Sequence, residues 1–308
     1  MEKPRLHAGT QVVLKNNLIN GQREVVHPAG AVAMVVRTPT TEGELFHVQF
    51  PDGVLARVAP ESLKILKNLK NEGTGASSAF DLDGALLFKS VVGSRAYGLE
   101  TEESDTDFRG VYIASQEMVW SLHDPPEQFE DHEAQSVFWE LRKFLLLALK
   151  ANPNILETLH SPEMEILDEI GEELVSMRSV FLSKLIFQTF SGYAMSQFKK
   201  MEQDLRNHGE VRWKHAMHLL RLLISGRQTL ETGLLNISMV EHREFLLSVK
   251  RGELKWEEVA DRRKELHREF EQAFAKSELP ERPDSSRVNA FLVSARKRAF
   301  MRMRKIME

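Results

Sequence analysis

Past Val137 the apolar residues settle into helical spacing and keep it to the end of the chain, and this run limits the fold more than any other feature. Leu141, Phe144, Leu145, Ala148 and Leu149 recur at intervals that place them on one face of a helix. Further amphipathic runs cover about 163–177, 179–207, 210–234, 238–250, 255–277 and 286–306, with no repeat at a fixed period, so a helical array is expected rather than a solenoid.

Upstream the pattern is short and strand-like. Residues 11–14, 31–36, 45–50 and 54–58 read as strands, with Asp52-Gly53 as a tight hairpin turn. Few strands in few residues suggest a small β-barrel, similar in strand order and Gly-rich turns to the KOW and Src-homology-type barrels. Such modules bind peptides or RNA in some families and serve as docking pieces in others. Residues 71–78 lack any apolar period and read as a linker. The expected organisation is a small β-barrel over 1–69, a linker over 70–79 and a second domain over 80–308. That second domain opens with an apolar run at 86–92 and another β-like run at 108–114, giving a small sheet ahead of the helices. The fold class expected is α+β.

A chain of 308 residues exceeds the usual single-domain size, which agrees with two domains. It has no cysteine, which excludes disulfide frameworks, thiolate zinc sites and cysteine nucleophiles. The first residues lead into no apolar signal segment, and the longest apolar stretch, 144–149, is far too short to span a bilayer. A soluble, cytoplasmic protein with no membrane partner is expected, and its oligomeric state is not readable. Charge is unevenly placed: residues 100–133 hold eleven Asp or Glu against Arg109, whereas 286–308 hold seven Lys or Arg against Glu308. The first segment needs cations nearby, and the second favours polyanions.

The chemistry concentrates in the acidic segment and just before it. Two residues apart on a strand, Asp105 and Asp107 would point to the same face, with Cα atoms about 6.6–7 Å apart. Neighbouring carboxylates repel unless divalent cations neutralise them, and Mg²⁺ suits an acidic pair shared with phosphates. Two such ions can activate a hydroxyl and stabilise leaving pyrophosphate. Eleven residues before Asp105 stands Ser94, preceded by Gly93, where a strand gives way to a short helix. Glycine permits close backbone approach to phosphate, and the serine hydroxyl with free amides can donate to it.

Gly-Ser, a short helix and Asp-x-Asp form the signature of DNA polymerase β-like nucleotidyltransferases. The fuller string GSRAYGLETEESDTDFRGVY resembles the RlaP family, predicted nucleotidyltransferases associated with RNA repair. The likeness continues through Leu141-Arg142-Lys143-Phe144, Asn152-Pro153-Asn154, Lys214-His215-Ala216-Met217-His218 and Ser277-Glu278-Leu279-Pro280, about residues 86–283 in all. It implies that Ser94 contacts the triphosphate of an NTP substrate, that Asp105 and Asp107 hold two Mg²⁺ ions, with Mn²⁺ as a substitute, and that the acceptor is an RNA end.

The superfamily adds a third carboxylate from a later strand. Here Gln135-Ser136-Val137-Phe138-Trp139-Glu140 stands where it is sought, so the candidates are Glu133, Glu140 and Asp131, with Glu133 preferred. Lys214, His218 and Arg221 follow i, i+4, i+7 spacing and so share a helix face that can meet a triphosphate or RNA end. Arg95 and Arg109 flank the acidic pair, either clamping phosphate or relieving repulsion. Asn152 reads as a helix cap. The basic run 296–305 fits nucleic-acid contact, a membrane surface or simply a packed final helix.

Overall fold

The computed structural model describes residues 7–22, 24–38, 45–66, 81–102, 104–122, 124–131, 134–209 and 211–307. The chain divides into two compact units, 1–79 and 80–308, with strands and helices of both kinds, a mixed α+β architecture. The linker expected over 70–79 lies outside the described residues.

The first unit is built from β1 (Gln11–Leu14), β2 (Leu18–Ile19), β3 (Val25–His27), β4 (Val32–Arg37), β5 (Phe46–Gln49), β6 (Leu55–Val58) and β7 (Leu63–Ile65). Alternation works as the pleat demands: Ala33 and Val35 turn inward from β4 onto Val12, Leu14, Val48, Phe50, Val58 and Leu63. The β5–β6 hairpin turns at Asp52-Gly53, where the Asp52 carboxylate accepts from the Val54 amide at 3.0 Å. Five strands pair in the order β6-β5-β4-β1-β7, all antiparallel. The expectation of a closed barrel is not met: β6 and β7 stand at the two edges, and among the described residues no ladder joins them.

The second unit opens on β8 (Leu86–Val92), β9 (Asp107–Tyr112), β10 (Gln128–Asp131), β11 (Ser136–Glu140) and β12 (Met164–Leu167). Their order is β10-β11-β9-β8-β12, with β9 and β11 parallel and every other pair antiparallel. β8 is buried along nearly its whole length, with Lys89 half-buried between its apolar ends. Period two splits β9 between the two faces of the sheet. Val111 joins Phe88 and Trp139 in the main core under the helices, whereas Tyr112 joins Leu86 and Phe138 in a smaller cluster on the other side. Asp107 and Arg109 have the parity of Val111 and so belong to the helix-covered face.

The helices are α1 (Gln116–Trp120), α2 (Leu141–Ala148), α3 (Pro153–Leu159), α4 (Glu169–Ser176), α5 (Leu185–His208), α6 (Trp213–Thr232), α7 (Arg243–Lys250), α8 (Trp256–Lys276) and α9 (Ser285–Met307). α2 presents Leu141, Phe144, Leu145 and Ala148 to the core, the face that the spacing predicts. α3 starts at Pro153 behind Asn152, whose side chain accepts from the Ile155 amide at 3.3 Å. The run 163–177 is not one amphipathic element. Met164–Leu167 pairs with β8, and Asp168 then caps α4 by accepting from the Gly171 amide at 2.7 Å. Among the described residues no helix is long and apolar enough to cross a membrane.

α9 buries Val288, Phe291, Ala295 and Ala299. Three of its guanidinium groups are engaged within the unit: Arg296 with Glu140 at 3.1 Å, Arg298 with Glu173, and Arg302 with Asp168 and Glu169. Of the three readings open for the basic run, this geometry displays the packed final helix.

Candidate active site at the Gly93 turn and Asp107

β8 delivers the chain into a tight turn at the edge of the helix-covered face. The Tyr97 amide donates to the Gly93 carbonyl at 3.2 Å, the Gly98 amide to Arg95 at 3.0 Å and the Leu99 amide to Ser94 at 2.8 Å. The last two bonds, with Gly98 at φ 67°, close a single helical turn in the manner of a Schellman cap. The expected short helix is therefore one turn long. Gly93 itself has φ 75°, a left-handed conformation open to glycine.

Register sets the next contact. Val92 lies opposite Asp107 in the β8–β9 ladder, so the first residue of β9 faces the start of the turn. A Cβ added at Gly93 would stand 2.7 Å from the Asp107 Oδ2 atom. The signature glycine is thus the space that the Asp107 carboxylate uses, an interlock between motifs that lie 14 positions apart in the chain.

Asp105 is exposed, two positions before β9, and its Oδ2 atom accepts from Gln135 Nε2 at 3.1 Å. Gln135 also takes the Phe108 amide on its carbonyl at 3.0 Å and has φ 46°. Of the two aspartates expected on one strand, only Asp107 lies on β9, held on its β8 side; Asp105 precedes the strand and is turned toward the start of β11. Arg95 Nη1 donates to Thr106 Oγ1 at 2.9 Å, tying the turn to the Asp-Thr-Asp segment. Arg109 Nη1 donates to the Phe108 carbonyl at 2.7 Å and the Gln135 carbonyl at 3.2 Å, which leaves part of its fork available.

Two of the three candidates for a further carboxylate are placed elsewhere. Glu140 pairs with Tyr112, the end of β9 opposite Asp107. It is buried, caps α2 by accepting from the Arg142 and Lys143 amides at 2.6 and 3.3 Å, and meets Arg296. Asp131 lies across from Ser136, which lies across from Phe108, so it takes the face away from Asp107. Its Oδ1 atom accepts from the Ala134 amide at 3.0 Å. Glu133 lies outside the described residues. Among the described residues no cluster of three His, Cys, Asp or Glu is assembled. As carboxylate oxygen donors, Asp105 and Asp107 are of the type that suits a hard divalent cation.

The α6 face changes character along its length. Lys214 is exposed, His218 half-buried and Arg221 buried. Burial first, then the Arg221, Lys214, His215 and Lys250 charges, pushes His218 down to about 4, so near neutral pH it is an uncharged imidazole. Arg221 does not face solvent at all. Its Nη1 and Nη2 atoms donate to the two carboxylate oxygens of Glu157 at 2.7 and 3.1 Å, and its guanidinium lies 3.7 Å from the centre of the Tyr97 ring. Neither Tyr97 nor Glu157 stands out in the catalytic motif. The signal was present all the same: Glu157 follows Ile155-Leu156, and Arg221 sits between Leu219-Leu220 and Leu222-Leu223-Ile224. Opposite charges embedded in apolar runs must find each other when buried.

His160 is likewise lowered to about 4, chiefly by burial. Both histidines stay below their ordinary value of 6.5 when folded, so protons bind the unfolded chain more tightly. Their contribution is complete above pH 6.5 and is lost as pH falls toward 4. The midpoint of urea unfolding is expected to drop across that window. His160→Gln or His218→Gln should each flatten the drop; an unchanged slope in both would refute the assignment.

No solved structure matches the chain. The protein YcgL of Bacillus subtilis (strain 168), described as uncharacterized, is 39% identical over 79 residues, which cover 25% of this chain and 30% of that protein. The chain thus matches less than a third of the length of that curated relative. Residues 66–294 match the family model described as "RlaP: RNA repair pathway DNA polymerase beta family", and the chain belongs to that family.

Proposed function

We propose that the second unit is a metal-dependent nucleotidyltransferase that moves an NMP from an NTP to a hydroxyl at an RNA end, releasing pyrophosphate. The observation that carries this reading is the interlock of Gly93 with the Asp107 carboxylate, which sets one acidic side chain of the Asp-x-Asp pair against the glycine of the Gly-Ser turn. The family's description supports polymerase β-like chemistry in RNA repair. We assign the nucleotide, the RNA acceptor and the ions beyond that description.

The roles follow from position. The Ser94 hydroxyl and the amides of its turn would hold the triphosphate, with Arg95 beside them. Asp105 and Asp107 would hold two Mg²⁺ ions, or Mn²⁺, and Glu133 is assigned as the third carboxylate. Bound there, the ions supply Lewis-acid stabilisation of the phosphates and ease deprotonation of the attacking hydroxyl. Lys214 and the neutral His218, one helical turn apart on α6, are assigned to the nucleotide. Positioning and charge neutralisation then account for most of the rate.

A second reading has its own observation. Gln135 contributes a neutral amide to Asp105 at the start of β11, where a carboxylate is usual, and this favours a nucleotide-binding regulator without turnover. Incubation with each α-labelled NTP, Mg²⁺ and RNAs of defined ends decides between them. Label on RNA with pyrophosphate release is expected. NTP binding by calorimetry with no pyrophosphate from any acceptor establishes the regulator, and label on protein or a small molecule moves the acceptor class.

A further inference from the structure

The wall behind the Gly93–Gly98 turn is a closed polar triangle in an otherwise apolar core. Glu157 of α3 accepts from both terminal nitrogens of Arg221 of α6, and its Oε2 atom also accepts from the Tyr97 hydroxyl at 2.6 Å. The Arg221 guanidinium covers the Tyr97 ring, which completes the triangle. All three residues are buried, and Tyr97 lies three positions after Ser94 in the same turn.

Burying an ion pair here is not required for stability, because well-packed apolar residues of similar volume do as well or better. What the pair adds is direction. A bidentate guanidinium–carboxylate contact fixes both planes, and the phenol hydroxyl is then fixed against a known oxygen. The same turn is held from its other side: the Met239 amide donates to the Tyr97 carbonyl at 2.8 Å, and Arg243 of α7 donates to the carbonyls of Gly98 and Glu100. At its leading end there is no slack, since Asp107 fills the space beside the Gly93 α-carbon.

We propose that Tyr97, Glu157 and Arg221 are positioning residues, a buried clamp that fixes the signature turn and so sets where Ser94 meets the triphosphate; the last clause rests on the nucleotidyltransferase reading. The clamp joins α3 and α6 to the turn, so the helical part of the unit helps to build the site. Charge alone is insufficient. Lysine at 221 keeps the cation and loses the fork that registers Glu157 against Tyr97.

Tyr97→Phe and Arg221→Lys test this with two readouts in the full-length protein. Amide hydrogen exchange without nucleotide is expected to rise about tenfold or more at residues 94–99, while amides elsewhere in the sheet keep their rates. With NTP, Mg²⁺ and acceptor RNA, kcat is expected to fall about tenfold for Tyr97→Phe and about a hundredfold for Arg221→Lys, with KM for the NTP within about threefold. Wild-type exchange in the turn together with wild-type kcat in Tyr97→Phe overturns the clamp. That variant removes one oxygen only, so it decides the matter even where Arg221→Lys does not fold. If the wild type transfers no nucleotide, the functional reading fails by itself and the exchange rates still decide the clamp.

Discussion

Asp105→Ala is expected to cut nucleotidyl transfer by about a thousandfold or more while leaving the melting temperature within about 2 °C of wild type. The side chain is exposed, and its contact with Gln135 is a single neutral amide bond, so the fold loses little. On the proposed function, turnover loses a metal ligand, worth several kcal/mol of charge stabilisation as pyrophosphate leaves. Binding should suffer less, because the Ser94 turn is untouched and still offers its donors. Asp105→Asn sharpens the test by preserving shape and one acceptor oxygen while removing charge. Transfer in both variants at the wild-type rate, measured by pyrophosphate release, would remove Asp105 from the chemistry.

Glu157→Ala is expected to destabilise the second unit by about 3–5 kcal/mol, because it strands the buried Arg221 cation. For a unit of this size that corresponds to a melting temperature lower by about 6–20 °C. Burial works against the Arg221 charge, yet Glu157 and Tyr97 more than offset it and hold the guanidinium above its ordinary pKa. Deleting the carboxylate leaves the penalty without the compensation. The double variant Glu157→Leu with Arg221→Met is expected to regain most of the lost stability and little of the lost turnover. A melting temperature for Glu157→Ala within about 2 °C of wild type would mean that the cation finds water on its own.

The strand β8 and the turn that follows it are legible in the sequence because their constraints are local. β8 spans Leu86–Val92, the apolar run as read, and Gly93, Ser94, Asp105 and Asp107 carry their chemistry in their own spacing. Most helices also lie near the amphipathic runs, since a 3.6-residue period is a property of neighbours in sequence. What escaped is what depends on partners. β11 is Ser-Val-Phe-Trp-Glu, buried on both faces and continuous with α2, so apolar spacing alone assigns it to the helix. β10 and β12 are edge strands whose mostly exposed side chains leave little alternation. Arg221 shares helical spacing with Lys214 and His218; its apolar neighbours point to burial, and the packed fold shows which carboxylate meets it.

Glu140 ends β11, caps α2 and receives Arg296 from the last helix, a partner 156 positions downstream. Ribosomes add roughly 5–20 residues each second, so the strand beside Asp107 waits about ten to thirty seconds before the cation that neutralises its end has been made. Until then only the two amides at the start of α2 meet the buried Glu140 carboxylate. Synthesis of α9 is thereby expected to firm the end of the sheet through the Arg296–Glu140 pair.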